Sequence, residues 1–200
     1  MIAALVLAAG RGVRMGRSKP LIEINGRPVL ELVISKIEKA GITSKTVVLG
    51  HGAERIEKEI DLSGCYLVIN PHPEEGLSSS LRIGLAAIPA DANGVLIFHT
   101  DMPFIETTTI NAVLSAAKQG ARIAAPAYAG RRGFPVYFER SLFPRLVDSL
   151  SGDSGGRGYI AEHEELVELI EVDDPGCIRD LDRPEDLPDR QGERRCVTYA

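Results

Sequence analysis

Hydrophobic positions along the chain fall into two periods. Six consecutive apolar residues, Ile2 to Leu7, show no polar alternation, which predicts a strand buried on both faces of a parallel sheet. Comparable short runs at Thr46–Leu49, Tyr66–Ile69, Gly94–Phe98 and Arg122–Ala125 predict further strands. Between them the spacing turns helical. Val29, Leu30, Val33, Ile34 and Ile37 form a stripe within Arg27–Ala40 that Gly41 closes, and Ala53–Ile60 reads as a short charged helix. Leu81, Ile83, Leu85 and Ile88 predict another helix, for which Ser78 or Ser79 can serve as N-cap, and Thr107–Lys118 and Leu142–Leu150 predict two more. Leu166–Val172 alternates apolar and acidic residues, as a strand with one wet face does. Strands alternating with helices imply right-handed βαβ crossovers and a largely parallel sheet, in a single α/β domain over residues 1–187. Residues 188–200 lack periodicity and read as a polar tail.

Composition narrows the class of function. The 200 residues are 44% hydrophobic and 26% charged, enough for one sizeable core. A net charge of -5 leaves no basic face for nucleic acid. No apolar run approaches the length of a membrane span, and the first strand begins at Ile2 without a charged leader, so a cytoplasmic location is expected. Cys65, Cys177 and Cys196 lie far apart without metal-ligand spacing and read as idle thiols. His51, His72, His99 and His163 share no ligand spacing either, and are expected to be structural or exposed.

Candidate chemistry begins where the first strand ends. Ala8, Ala9 and Gly10 let the backbone turn sharply, and Gly10, Gly12 and Gly16 could present N–H groups to phosphates. Four cations, Arg11, Arg14, Arg17 and Lys19, follow within nine residues, which suits a nucleoside triphosphate. The Walker loop is excluded because Gly16 is followed by Arg17, Ser18, Lys19 and Pro20. A dinucleotide fingerprint fails as well, since its third glycine arrives one place late. Asp101 stands at the carboxyl end of the strand Gly94–Phe98, the edge where open α/β sheets gather ligands, and can bind Mg2+. The string from Gly152 to Gly156 matches the nucleophile loop of trypsin-like proteases, but an α/β chain without disulfides or an upstream histidine element rules that out.

Leu7-Ala8-Ala9-Gly10, Arg14-Met15-Gly16 and Lys19-Pro20-Leu21 together resemble the signature L-A-A-G-x-x-x-R-M-G-x-x-K-P-L of nucleotidyltransferases that activate small molecules. Within that group the chain is most similar to the molybdenum cofactor cytidylyltransferases, the MocA-like and MobA-like NTP transferases. Asn70–Leu81 resembles their N-P-x-x-x-x-G-x-S-x-S-L stretch, Pro126–Phe138 their P-x-Y-x-G-x-R-G-H-P-V stretch, Gly152–Arg157 their G-D-x-G-x-R element and Ile178–Leu187 their D-x-P-E-D-L element. Phe134 departs from the family, whose usual residue there is histidine.

The resemblance implies a single-domain, Rossmann-like three-layer sandwich with a mostly parallel mixed sheet, of the nucleotide-diphospho-sugar transferase type. It further implies a Mg2+-dependent enzyme that moves CMP from CTP to the phosphate of molybdenum-bearing molybdopterin. Arg14, Lys19 and Asp101 would be catalytic, and Asp101 and Asp182 would hold the metal. Leu7, Ala8, Ala9, Gly10, Arg11, Gly12, Gly76 and Ser80 would bind the nucleotide; Gly133, Pro135, Asp153 and Arg157 would bind the acceptor. CTP is preferred over GTP because Ala8-Ala9-Gly10 lacks a second glycine and a serine run spans Ser78 to Ser80. The alternatives are a guanylyltransferase or sugar- or polyol-phosphate nucleotidyltransferase of the same fold, and a non-catalytic escort that delivers cofactor to a molybdenum hydroxylase.

Overall fold

The computed structural model of the chain describes residues 1–10 and 18–188. Its elements are β1 (Ile2–Ala8), β2 (Glu23–Ile24), β3 (Arg27–Pro28), α1 (Val29–Lys39), β4 (Lys45–Leu49), α2 (Ala53–Glu59), β5 (Tyr66–Ile69), α3 (Leu77–Ala86), β6 (Gly94–His99), α4 (Thr107–Lys118), β7 (Ile123–Tyr128), β8 (Arg131–Arg132), β9 (Val136–Glu139), α5 (Phe143–Ser149), α6 (Arg157–Glu162) and β10 (Val167–Glu171). The main sheet has the order β10-β7-β9-β6-β1-β4-β5, with β8 appended to β7. Strand β9 is antiparallel to both of its neighbours, whereas β10, β6, β4 and β5 pair in parallel. This is the mostly parallel three-layer α/β sandwich that the sequence predicts. No described helix is long and apolar enough to cross a membrane.

Strand β1 shows why its apolar run is unbroken. Ala4, Val6 and Ala8 face one way, into a core shared with Leu30, Val33 and Ile37 of α1 and Ile110 and Val113 of α4. Ala3, Leu5 and Leu7 face the other way, toward Leu81 and Leu85 of α3, Leu146 of α5 and Ile160 of α6. A strand with both faces covered has no wet position at which to place a polar residue.

Two local expectations give way to longer-range geometry. The helix expected from Arg27 starts at Val29, because Arg27 and Pro28 pair back on Glu23 and Ile24. The turn between them is Asn25-Gly26, with φ of 51° and 76°, the left-handed conformation at both central positions that a tight hairpin requires. Neither Ser78 nor Ser79 caps α3. Gly76 is the N-cap, and both serines lie buried within the first turn. Helix α6, absent from the sequence reading, is a short element between the glycines of the 152–156 loop and His163.

The segment after β10 leaves the sheet and runs as a strap back to its carboxyl edge. Asp174, only 3% exposed, anchors it. Its carboxylate accepts hydrogen bonds from the Glu106 and Gly176 amides at 2.8 Å and from Thr109 Oγ1 at 2.7 Å, tying the strap to the start of α4. Farther along, Cys177 O accepts from the Phe134 amide at 2.8 Å and Asp101 O accepts from the Leu181 amide at 2.7 Å. Leu181 packs with Ile22, Ile24 and Val29 of the hairpin region in a small cluster of its own. Asp174→Ala strands three donors, two of them backbone, and is expected to cost on the order of 3 kcal/mol in a urea unfolding titration.

Candidate active site

The site lies where β1 and β6 end side by side, with Leu7 opposite His99 in register. Thr100 closes the junction, its amide and its hydroxyl both donating to Leu7 O at 3.2 and 2.9 Å. Past β1 the backbone must pass close to its neighbour. A Cβ on Gly50 would sit 2.8 Å from Ala9 O, so a glycine there lets β4 and β1 end together.

Three charged groups converge at this edge. Lys19, on a single 3-10 turn over Lys19–Leu21, donates from Nζ to Asp101 Oδ2 at 2.9 Å and to Asp182 Oδ1 at 2.6 Å. Burial alone would lower the lysine pKa, but the Asp101 charge and the hydrogen bonds of both aspartates outweigh it and hold the pKa above its ordinary 10.5. Asp182 is itself aimed. Asp186 Oδ2 accepts from the Asp182 and Arg183 amides at 2.9 and 2.7 Å, and these two bonds hold the Asp186 carboxyl below its usual range.

The donor set fits a hard divalent cation. Two carboxylates from separate segments already meet around one positive charge, and Mg2+ commonly takes one or two protein carboxylates with phosphate and water oxygens. Among the described residues no group of three or more His, Cys, Asp or Glu side chains forms a metal cage. An ion at this position would therefore depend on oxygens brought by a ligand.

Beside the carboxylates opens a cavity of about 270 Å³, lined by Leu7, Ala8, Ala9, Gly10, Lys19, Gly76, Ser80, Thr100, Asp101 and Asp153, among others. Its far wall is the start of α3. Gly76 adopts φ +94°, and a Cβ there would lie 2.5 Å from Asp153 Oδ1 and 2.7 Å from Gly152 O. The missing side chain lets Asp153 approach and accept from the Leu77 amide at 3.1 Å, while Gly152 O accepts from the Ser78 amide at 3.0 Å. Two of the helix's free N–H groups are thus satisfied from a loop distant in sequence. Asn70 braces the same wall, donating to Ser79 Oγ at 2.8 Å and Ser80 Oγ at 2.9 Å.

A second cavity of about 190 Å³ adjoins the first through Leu7, Leu77 and His99, and is lined also by Arg132, Gly133, Phe134 and Arg157. His99 stands at the junction, its ring against that of Phe134 at 4.4 Å between centroids and 65° between planes. Burial pushes its pKa below the ordinary 6.5, with Arg157 and Lys19 adding to the fall against Asp101 and Asp180. Gly133 is required here for space: a Cβ on it would collide with the Cys177 carbonyl of the strap.

This geometry belongs to a known family, for the MobA-like NTP transferase domain matches residues 4–166. The chain is a member of that family. It is 30% identical over 194 residues to nicotine blue oxidoreductase of Paenarthrobacter nicotinovorans, covering 93% of this chain and 94% of that protein. A 115-residue stretch, 56% of the chain, is 36% identical to bifunctional protein GlmU of Sphingopyxis alaskensis and spans 25% of that larger protein. Rv0371c of Mycobacterium tuberculosis H37Rv has a TM-score of 0.84 to this structure at 29% identity, over 92% of this chain and 94% of that one. The same protein solved in complex with manganese gives a TM-score of 0.79 at 27% identity, over 92% and 95% of the two chains. The MobA-like assignment makes the protein a nucleotidyltransferase by family.

Within the MobA-like domain, Leu7, Ala8, Ala9, Gly10, Lys19, Gly76, Ser80 and Asp101 share the first cavity, while Gly133 and Arg157 line the second. Asp153 stands in the first cavity, not the second, and Pro135 is buried and lines neither. Arg11, Gly12 and Arg14 lie outside the described residues. Sequence reading missed His99 as a junction residue, although its place two residues before Asp101 at a strand end was a usable signal. It missed Asp174 too, whose partners near residue 106 no local pattern announces.

Lys19→Met removes the counter-charge that Asp101 and Asp182 share. All three groups are partly solvated, so the expected loss at neutral pH is about 1 kcal/mol, or roughly 2–4 °C in Tm. Because the lysine pKa is raised in the folded state, its stabilisation is fully present below the ordinary 10.5 and fades as pH climbs through the raised value. Thermal melts of both proteins from pH 7 to 11 are expected to differ most at the neutral end and to converge as pH rises.

Proposed function

We propose that the protein transfers CMP from CTP to the phosphate of molybdenum-bearing molybdopterin, with Mg2+, yielding the cytosine dinucleotide and pyrophosphate. The observation that carries this reading is the convergence of Lys19, Asp101 and Asp182 beside a cavity walled by the Ala8-Ala9-Gly10 strand end. A phosphate oxygen of the acceptor attacks the α-phosphorus; that P–O bond forms as the α–β bridging bond breaks, and its electron pair leaves with pyrophosphate. The nucleophile is already ionised, so positioning and charge neutralisation suffice without a general base.

Asp101 and Asp182 would hold the ion, which supplies Lewis-acid neutralisation of phosphate charge. The manganese complex of Rv0371c supports a divalent metal of this kind. Lys19, with Arg14, takes charge developing on phosphoryl and leaving oxygens. The backbone from Leu7 to Gly12, with the Arg11 side chain, holds the triphosphate; Gly76 and Ser80 flank the base; Gly133, Pro135, Asp153 and Arg157 shape the acceptor side. The product would pass to a molybdenum hydroxylase in the cytoplasm.

A second reading, an oxidoreductase like nicotine blue oxidoreductase, is favoured by the 30% identity along nearly the whole of that protein. One experiment separates the two. Pyrophosphate release is measured with CTP, GTP, UTP and ATP, Mg2+ or Mn2+ and molybdenum-loaded molybdopterin, alongside NADH and NADPH oxidation with nicotine blue. The expected outcome is CTP-dependent release, abolished in Asp101→Ala and reduced at least about a hundredfold in Lys19→Ala, with no nicotinamide oxidation. Nicotinamide oxidation without pyrophosphate release would overturn the transferase reading.

A further inference from the structure

Lys36 of α1 lines neither cavity, yet it reaches the segment that carries Asp101. Its Nζ donates to the Pro103 carbonyl at 2.6 Å, and Pro103 is buried two residues beyond that carboxylate. A lysine on a helix ordinarily turns its ammonium to water. Here burial pushes the Lys36 pKa below its ordinary 10.5, against the attraction of Asp174 and Glu106 and with some help from Lys39. An ammonium that has given up hydration bonds a carbonyl more strongly than it would in water.

Residues 100–106, between β6 and α4, have no helix or sheet ladder to align them. They are fixed at separate points: Thr100 to Leu7 of β1, the Asp101 carbonyl to the Leu181 amide, and the Glu106 amide to Asp174. Leu181 and Asp174 both belong to the strap, the segment that also delivers Asp182 to Lys19. A Cβ on Gly176 would collide with the Phe104 carbonyl, so the strap lies flush against this turn. Lys36 adds a tie of another origin. It comes from α1, whose Val33, Ile34 and Ile37 are locked into the main core, and its charge also acts on Asp174, the anchor of the strap. One cation on a packed helix thus engages both segments that carry the carboxylates.

We infer that Lys36 is a positioning residue: by holding the Pro103 carbonyl against α1, it sets the separation of Asp101 from Asp182 and with it the affinity of the pair for a cation between them. In this structure that cation is the Lys19 ammonium. That a divalent ion is held there beside a nucleotide rests on the transferase reading; the positioning of both aspartates toward Lys19 does not. The sign of the effect separates positioning from simple charge. Removing a positive charge near the pair would, through its field alone, favour a dication, whereas losing the correct spacing weakens it.

The test compares the full wild-type chain with Lys36→Met, Lys36→Arg and Ile37→Val. The last loosens α1 one residue away without touching Pro103, and so controls for a merely structural loss. First, thermal melts without metal measure the effect of Lys19→Met in each background. That effect is expected to shrink to less than about half beside Lys36→Met and to stay unchanged beside Ile37→Val, because sites with no shared partner add. Second, water-proton relaxation reports Mn2+ bound to the protein with α,β-methylene-CTP, whose carbon bridge blocks loss of pyrophosphate. Lys36→Met is expected to weaken Mn2+ binding about tenfold, Lys36→Arg to recover most of that loss, Ile37→Val to change nothing and Asp101→Ala to abolish binding. Should Lys36→Met fail to melt cooperatively, Lys36→Gln takes its place with the same expectations. Additive melts, Mn2+ affinity unchanged or raised in Lys36→Met, or an equal loss in Ile37→Val overturns the positioning role. Coupled melts in a wild type that binds no Mn2+ with the nucleotide leave that role standing and remove the metal from the transferase reading; Mn2+ binding that needs Asp101 but not Lys36 does the reverse.

Discussion

The hydrogen bond from the Leu181 amide to the Asp101 carbonyl, 2.7 Å long, joins two parts of the chain that otherwise share no regular structure. Asp101 follows a central strand; Asp182 sits on a strap that has left the sheet. Strands are aligned by their ladders, but a strap has only isolated contacts to fix it. Leu181 is buried among Ile22, Ile24 and Val29, so water does not compete for its amide, and the adjoining residue is delivered within reach of Lys19. Asp174 at one end and Asp186 at the other complete the restraint, each by taking up backbone N–H groups.

The sheet order explains why the two cavities adjoin. From β1 the chain moves outward to β4 and β5, then returns through α3 to place β6 on the other side of β1. That reversal opens a crevice at the carboxyl ends of β1 and β6, where the first cavity lies. The antiparallel strand β9 then inserts between β6 and β7, and the connection that turns it around carries Arg132, Gly133 and Phe134 to the same edge. One strand of opposite direction thus converts a nucleotide-type crevice into a site with a second compartment.

What the sequence made legible was local or periodic. The double-faced burial of β1 followed from an unbroken apolar run, and the strand alternation followed from spacing. Asn25-Gly26 carried a hairpin signal, but the helical stripe from Val29 masked it because the two elements abut without a linker. Capping of α3 was illegible for a different reason. Serines stood where a cap is usual, yet the partner that satisfies the Leu77 amide is Asp153, 76 residues away, and only the absent side chain of Gly76 admits it. Asp174 shows the same limit: an aspartate in an acidic run reads as solvated until the amides it serves are brought to it by folding. Phe134 was visible as a departure from a motif, but its contact with His99 comes from strands β6 and β9 lying side by side.

Charge at the site gives the last step. Asp101 and Asp182 contribute two negative charges and Lys19 one positive, a sum of -1. The raised lysine pKa means that proton loss from Lys19 is not how this balance shifts near neutrality. On the transferase reading, a divalent ion arriving with the triphosphate would be held by Asp101 and Asp182 and would offset part of the nucleotide's charge, leaving the Lys19 ammonium available to phosphate oxygens.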